Sequence, residues 1–215
     1  MTAQIIWLSK GKPKTLIHRG GEYRSGISKD QVERLKVTFE RVLDDDVENH
    51  EFHGGSERVI CVYPYEHYTY FEKIYSTTLP KAAFGENLTV TGMPETNVCI
   101  GDIYKIGNTI LQVSQGRFPC STINKHTSIN TLLKKVVETG YTGYFFRVLE
   151  EGTITIQSEI KLLEKHPKRM SIADIHHTYF HDKDLSEIEK ILSIDELSLE
   201  WKNRMMKLYN QVHTN

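Results

Sequence analysis

The chain is organised around one stretch near its middle, which reads Leu111-Gln112-Val113-Ser114-Gln115-Gly116-Arg117-Phe118-Pro119-Cys120. Leu111 and Val113 alternate with polar residues, and this period of two is typical of a strand with one buried face. Gly116 and Pro119 then interrupt the strand, because glycine permits unusual backbone dihedrals and proline lacks a backbone donor. The pattern therefore places Cys120 on a loop just past the end of a strand.

The Cys120 thiol has two interpretations at this level. Arg117 lies three residues upstream, and a thiol beside a fixed cation loses its proton more readily, which yields the form that attacks or binds metal. A small buried residue in a turn is the other interpretation. Cys61 and Cys99 instead lie within apolar strand patterns, so we expect them to be inert core residues.

The whole chain has 215 residues, of which 39% are hydrophobic and 26% are charged, with a net charge of -1. This length suits one core, or one core with a small appendage. The near-neutral charge gives no case for binding nucleic acid or an anionic membrane, so any electrostatic function must be local. Three widely spaced cysteines without a CxxC pair argue against a disulfide scaffold and against a structural zinc site.

The N-terminal sequence shows no basic region followed by a long apolar run, so no secretory signal is expected. No stretch approaches the roughly 20 apolar residues that a spanning helix needs. We therefore predict a cytoplasmic protein whose thiols are reduced.

Hydrophobic periodicity predicts many strands and two helices in the first three quarters of the chain. Strand patterns occur at 5–8, 15–18, 59–63, 89–91, 103–106, 109–113, 144–149, 152–156 and 160–163. Gly107-Asn108 joins two of them as a two-residue hairpin, which fixes the register of the central stretch. A helix is predicted over 64–73, with His67 partly exposed, because proline suits the first helical turn. A second helix is predicted over 128–137, with Gly140 placed to end it.

The chain changes character at His166-Pro167-Lys168-Arg169, beyond which strand patterns stop. We therefore predict a first domain over residues 1–165 and a helical extension over 166–215. Helix-capping residues recur in the extension, where polar side chains precede apolar runs. Its three helices are expected to begin near Ser171, Asp184 and Ser193.

Two sets of side chains in the extension need an interpretation. Apolar residues at helical spacing in the last helix are expected to be core, namely Leu197, Trp201, Met205 and Leu208. His176, His177 and His181 suggest a metal site, but no carboxylate or cysteine partner is visible, which favours an ordinary surface cluster. The extension either covers one end of the first domain or forms a homodimer contact.

Two loops are candidates for ligand binding. Asp44-Asp45-Asp46 is interpreted as a solvated acidic loop or, alternatively, as ligands for a hard cation such as magnesium or calcium. His53-Gly54-Gly55 directly precedes a strand, and adjacent glycines let backbone amides approach and cradle an anion. On its own this second motif is more often a simple turn.

Four motifs occur in one order: His53-Gly54-Gly55, Phe84-Gly85-Glu86-Asn87-Leu88, Gly101-Asp102 and Val113 to Cys120. Together they resemble a MOSC domain, the module also found at the C-terminus of molybdenum cofactor sulfurases, and within that family the stand-alone bacterial YiiM-type subgroup. The resemblance covers residues 1–165, and the tail resembles the three-helix extension of that subgroup. It implies a mainly β fold with helices, in which a MOSC-type β-barrel is followed by a small three-helix C-terminal domain.

The resemblance also implies a molybdenum cofactor, Mo-molybdopterin, whose metal is held by a cysteine thiolate. Cys120 would be that metal ligand, and Cys120, Asn87 and His53 would be the catalytic residues. The residues implied in cofactor binding are His53, Gly54, Gly55, Arg58, Gly85, Glu86, Asn87, Ser114, Gln115, Arg117, Cys120 and Asn124. Lys125 and His126 add cationic groups near the same loops.

Members of this group are associated with reduction of N-hydroxylated bases and hydroxylamines, with electrons drawn from a flavoprotein partner. We therefore expect a reductase of small N-hydroxylated substrates, with Asn87, Glu86, His53 and Asn124 as candidates for substrate orientation or proton delivery. A molybdopterin carrier or sulfur-transfer module without reductase activity is the alternative. A β-barrel binding protein for a phosphorylated ligand is a third hypothesis. Gly116 stands where a proline is familiar in relatives, which would loosen the loop without removing a ligand.

Overall fold

The computed structural model of the chain describes residues 3–50 and 54–213. Its strands are β1 (Gln4–Lys10), β2 (Lys14–His18), β3 (Gly21–Ser25), β4 (Asp30–Val32), β5 (Arg34–Val37), β6 (Ile60–Pro64), β7 (Leu88–Thr91), β8 (Ile103–Ile106), β9 (Thr109–Gly116), β10 (Tyr144–Glu150), β11 (Gly152–Thr155) and β12 (Ile160–Glu164). Its α-helices are α1 (Tyr65–Tyr75), α2 (Thr122–Thr127), α3 (Leu132–Thr139), α4 (Ile172–His177), α5 (Leu185–Leu192) and α6 (Leu199–His213).

Eight strands form one curled sheet in the order β12-β8-β9-β10-β6-β7-β1-β4. Neighbouring strands are antiparallel except β6 and β7, which are parallel and are connected through α1. Two ribbons, β5–β11 and β2–β3, complete the β structure of the described residues. The sheet is a half-barrel with β12 and β4 at its edges, so the predicted mainly β fold with helices is confirmed.

The central stretch forms β9, as its alternating pattern predicts. The β8–β9 hairpin turns at Gly107-Asn108, with Ile106 opposite Thr109. Leu111 and Val113 are fully buried, because the face of β9 that carries them points into the core. The strand ends at Gly116, and the chain continues without regular structure to Cys120.

Helix α1 begins at Tyr65, which confirms the predicted helix, but Pro64 is the extended N-cap residue at the end of β6 and does not lie in the first helical turn. The prediction that His67 is partly exposed is wrong, because the side chain is only 4% exposed. Its Nε2 lies 2.6 Å from Oε2 of Glu95, and its ring stacks on Tyr141 at a centroid distance of 3.9 Å. A carboxylate partner satisfies the imidazole in the core, and a sequence pattern cannot show a partner 28 residues away.

The segment after Cys120 differs from the single helix predicted over 128–137. Helix α2 already begins at Thr122, and Ser128 then takes a left-handed conformation with φ of 58°. Helix α3 begins at Leu132, whose following residue Leu133 donates its amide to Asn124 Oδ1 at 2.7 Å. The predicted end at Gly140 is confirmed.

The three-helix extension begins with a capping box in which Ser171 and Asp174 exchange hydrogen bonds, as expected. Asp184 caps α5 through the amide of Glu187. The predicted start of the third helix near Ser193 is wrong, because 193–198 forms turns and α6 begins at Leu199.

The four apolar residues predicted to be core are confirmed, since Leu197, Trp201, Met205 and Leu208 are all buried, although Leu197 precedes the first residue of α6. His176 is also buried, at 2% exposure, so the prediction of a surface histidine cluster is wrong for this residue. The reason is that its ring stacks on Trp201 between α4 and α6.

The junction with the extension is organised by Asp102, which is fully buried. Its Oδ1 accepts hydrogen bonds from the His166 amide and from the Arg169 guanidinium, both at 2.8 Å. One continuous hydrophobic cluster contains core residues of both regions, such as Val113 and Trp201. The division between residues 165 and 166 stays a prediction. In the described ranges no helix is long and apolar enough to cross a membrane.

Candidate functional site

A cavity of about 920 Å³ opens where β9 ends. Its wall contains five residues from the end of this strand and the loop that follows, namely Gln115, Arg117, Phe118, Pro119 and Cys120. The strand directs this segment, because Gly116 pairs with Tyr144 of β10 and the Arg117 amide then donates to the Gly143 carbonyl at 2.9 Å. The stretch that organises the sequence therefore forms one side of a cavity.

Cys120 differs from the other two cysteines in its surroundings. It is partly exposed on the cavity wall, whereas Cys61 and Cys99 are buried. Burial raises the pKa of Cys61 to about 12 and that of Cys99 to about 11, so both stay protonated at neutral pH. Cys61 also borders the cavity, but its high pKa disfavours the thiolate that binds metal. Cys120 is therefore the cysteine best placed to act.

Within the part of the chain that the structure describes, the cavity wall carries five Arg or Lys side chains. Four of them are paired with carboxylates of the same wall. These pairs are Arg24–Glu48 at 2.8 Å, Lys29–Asp45 at 2.5 Å, Arg58–Glu200 at 2.6 Å and Arg204–Glu200 at 2.8 Å. The fifth is Arg117, whose guanidinium is mostly buried. Among the described residues Arg117 forms no ion pair, so its charge is available to a bound anion.

Two buried polar atoms on the wall have no hydrogen-bond partner among the described residues, Arg117 Nη1 and Gln115 Oε1. A buried group without a partner costs free energy, and such groups are rare in folded proteins. One of the two is a donor with positive charge and the other is an acceptor. A ligand that fills this cavity would have to offer an anionic acceptor and a donor.

Asn87 lies on the cavity wall, but its amide is used by the protein. Its Oδ1 accepts from the Cys61 amide at 3.0 Å, and its Nδ2 donates to the Ser9 carbonyl at 3.2 Å and to Asp45 at 2.9 Å. Asn87 thus joins β1, β6 and the acidic loop. Because Asp45 also binds Lys29, this aspartate is part of a buried network and not of a solvated run.

Replacing Asn87 with aspartate should therefore destabilise the fold by about 2–3 kcal/mol, because it places a second carboxylate against Asp45 and removes the donor to Ser9. Chemical denaturation of both proteins measures this difference. Asn97→Asp is the matched control, since Asn97 is exposed and should change stability by less than about 0.5 kcal/mol. Equal stability of the two variants would contradict the assigned network.

Glu86 is placed differently from what the resemblance implies. It is fully buried and is not among the described residues that line the cavity. Its carboxylate accepts from the hydroxyls of Tyr68 and Thr89, at 2.5 and 2.7 Å, and from the Phe84 amide at 3.2 Å. Burial raises the pKa of Glu86. Its contacts give it a structural function behind the wall.

The remaining implied residues fall into two groups. Gly54, Arg58, Gly85 and Gln115 line the cavity together with Arg117 and Cys120. The other group lies off the wall in the described residues and consists of Gly55, Ser114, Asn124, Lys125 and His126. Ser114 donates its hydroxyl to backbone carbonyls, and Asn124 holds the start of α3, so both have structural partners. His53 lies outside the described residues.

The wall also contains residues that were not expected from the sequence, among them Lys29, Glu200 and Arg204. Lys29 lies in a segment for which no helix or strand was predicted. Glu200 and Arg204 form an i, i+4 pair on α6, which is an ordinary surface pattern on helices. Only the tertiary fold shows that this pair faces the cavity.

The histidines of the extension do not form a metal site. Over residues 3–50 and 54–213, no three His, Cys, Asp or Glu side chains come together as a metal-binding group. His177 and His181 are near each other, with ring centroids 5.6 Å apart, while His176 faces Trp201.

Comparisons with known proteins match both regions of the chain. The MOSC domain model matches residues 49–161, and the YiiM-like, 3-alpha helix domain model matches residues 170–208. The chain is 41% identical to YflK of Bacillus subtilis over 208 residues, which is 94% of this chain and 93% of that protein. The crystal structure of YiiM from Geobacillus stearothermophilus is similar, with a TM-score of 0.82, 34% identity and coverage of 96% of this chain and 99% of that chain. A reductase of Gibberella moniliformis is 34% identical over 164 residues, which is 73% of this chain and 28% of that protein.

Proposed function

The chain belongs to the MOSC domain family, and we propose that it is an oxidoreductase that reduces N-hydroxylated compounds at a molybdenum cofactor bound through Cys120. The observation that carries this proposal is the partly exposed Cys120 thiol on the wall of a large cavity. The same wall carries the buried Arg117 Nη1, which has no hydrogen-bond partner among the described residues. The similarity to a protein named reductase supports the reaction class.

The residues of the wall fit a molybdopterin in three respects. The cofactor is anionic and its pterin carries hydrogen-bond donors, which match the unpartnered Arg117 Nη1 and Gln115 Oε1. Molybdenum prefers soft sulfur ligands, which Cys120 can supply as thiolate. A volume of about 920 Å³ lies within the range of cofactor pockets. In this proposal Cys120 holds the metal, and Arg117 with Gln115 holds the organic part.

When bound, the cofactor supplies a redox metal that accepts oxygen from an N–O bond. The overall change converts R–NHOH, two electrons and two protons into R–NH2 and water. The chain's own contribution is to bind and orient. Glu200 fixes Arg58 and Arg204 on the wall, so their positive charge is held in place at the cavity.

The contacts reduce the number of candidates for proton delivery among the four residues considered from the sequence. The amides of Asn87 and Asn124 cannot titrate, and their polar atoms are bound to protein groups. The Glu86 carboxyl is bound behind the wall. His53 stays a prediction for this function.

Electrons must come from outside in this proposal. The chain has three cysteines, which is fewer than the four that an iron–sulfur cluster of ferredoxin type uses. We propose a flavoprotein as the donor, in line with what the family resemblance implies.

The test uses protein purified from a host that makes the cofactor. We expect molybdenum to copurify and the protein to convert a hydroxylaminopurine into the aminopurine with a reduced artificial donor. Molybdenum without reduction would assign the protein as a carrier or sulfur-transfer module. Mass spectrometry of the ligand released on denaturation identifies a phosphorylated compound of another kind, and protein that contains such a compound and no molybdenum would overturn the proposal.

A further inference from the structure

The three-helix extension contacts the Cys120 loop at two separate positions. At the first, Trp201 of α6 donates its Nε1 proton to the Gly116 carbonyl at 2.7 Å. Trp201 is fully buried, so this hydrogen bond is shielded from water. Gly116 is the last residue of β9, four residues before Cys120.

His176 of α4 strengthens this first contact. Its ring stacks on Trp201 with a centroid distance of 5.1 Å and an interplanar angle of 20°. The Nε2 atom occupies the space that a Cβ at position 116 would need. Only glycine at this position lets the imidazole and the indole both approach the strand end.

The second contact involves Phe118, two residues further on. Its ring lies 5.5 Å from that of Phe180, 5.9 Å from that of Tyr179 and 6.3 Å from that of Trp201. The Arg204 guanidinium lies 3.9 Å from the centroid of the Phe118 ring, within the distance of a cation–π contact. All four partners belong to the extension.

Between these two contacts the loop is attached to the sheet, since the Arg117 amide donates to the Gly143 carbonyl at 2.9 Å. Gly116 and Phe118 are thus held by the extension, and Arg117 between them is held by Gly143, the residue before β10. A loop fixed on both sides needs no ordering when a ligand binds, which strengthens binding.

We propose that the three-helix extension is a positioning platform for the Cys120 loop, with Trp201 and Phe180 as positioning residues. The extension thereby sets how far the Cys120 thiol projects into the cavity and how often the loop opens. The inference concerns the loop that the proposed function uses, but its main test needs no cofactor.

The test is the rate at which iodoacetamide alkylates each cysteine of the cofactor-free full chain, followed by peptide mass spectrometry. Trp201→Phe keeps an aromatic ring and removes the donor to Gly116. We expect Cys120 alkylation to accelerate about fivefold or more, as for the loss of a buried hydrogen bond, with unchanged rates at Cys61 and Cys99. Trp7→Phe is the matched control, because Trp7 Nε1 has no partner among the described residues and lies off the cavity wall.

Phe180→Leu gives a second, milder variant, since Phe180 is only partly buried and contacts Phe118. This variant should also accelerate the alkylation of Cys120 without changing the rates at Cys61 and Cys99. Equal acceleration of alkylation at all three cysteines would indicate general loosening of the fold and would overturn the proposal. An unchanged alkylation rate at Cys120 in both variants would also overturn it. The two proposals can fail separately. If the variants accelerate Cys120 alkylation selectively but the protein never binds molybdenum, the proposed function is refuted and this inference remains.

Discussion

On the proposed function, Cys120→Ser should purify as a folded protein that binds no molybdenum and has no reductase activity. A serine hydroxyl stays protonated at neutral pH and is a hard donor, whereas molybdenum prefers soft sulfur. Loss of a partner outside the ligand shell already costs about 10- to 100-fold in metal affinity, so loss of the ligand itself should cost at least on the order of 100-fold. Cys120 is partly exposed on a loop, so the exchange should leave stability nearly unchanged.

Metal analysis of the purified variant and single-substrate reduction assays measure this effect. Cys99→Ala is the control, because Cys99 is buried away from the cavity wall and should keep the wild-type molybdenum content. Cys61→Ala tests the competing ligand, since Cys61 borders the same cavity. Molybdenum retained by Cys120→Ser and lost from Cys61→Ala would move the ligand assignment to Cys61.

Most of the strands could be predicted because their signal is local, although no pattern predicted β3, β4 or β5. In β9 the alternation of Leu111 and Val113 with polar residues reflects one buried face, and the Gly107-Asn108 turn fixes the hairpin. The helix over 128–137 was partly wrong for a physical reason. Ser128 takes a left-handed conformation that periodicity does not reveal, and α2 before it has only Ile123 as a fully buried residue.

The candidate site was predictable where it lies in one stretch of sequence, as for Arg117 and Cys120. It was not predictable where distant segments meet. Glu200 and Arg204 reach the cavity because α6 packs beside β9, and no local pattern records that approach. Glu86 was implied by its motif, yet its carboxylate satisfies groups behind the wall.

The second large effect is a loss of stability in mild acid that depends on His176. Burial lowers the pKa of this histidine from 6.5 to about 4, and the Glu95 carboxylate offsets only part of that shift. The unfolded chain therefore binds the proton more tightly than the folded chain. The contribution of the neutral imidazole is fully present above pH 6.5 and is lost as the pH falls from there towards 4.

By this linkage the free energy of unfolding should fall by about 2 kcal/mol between pH 7 and pH 5 on account of His176 alone. The structural cause is that Nδ1 already binds the Thr142 hydroxyl at 2.8 Å, while Nε2 faces Gly116 with no acceptor among the described residues. Urea denaturation at several pH values measures the slope.

His176→Gln removes the titrating group and should be less stable than the wild type at pH 7. Between pH 7 and pH 5, however, its free energy of unfolding should fall by about 2 kcal/mol less than that of the wild type. His177→Gln is the control on the next residue of α4, which is exposed, and it should keep the wild-type slope. Parallel slopes in all three proteins would mean that the imidazole of His176 becomes protonated without cost in the fold. That result would contradict its close packing between Trp201 and Gly116, because a charged ring there finds no acceptor for its second proton among the described residues.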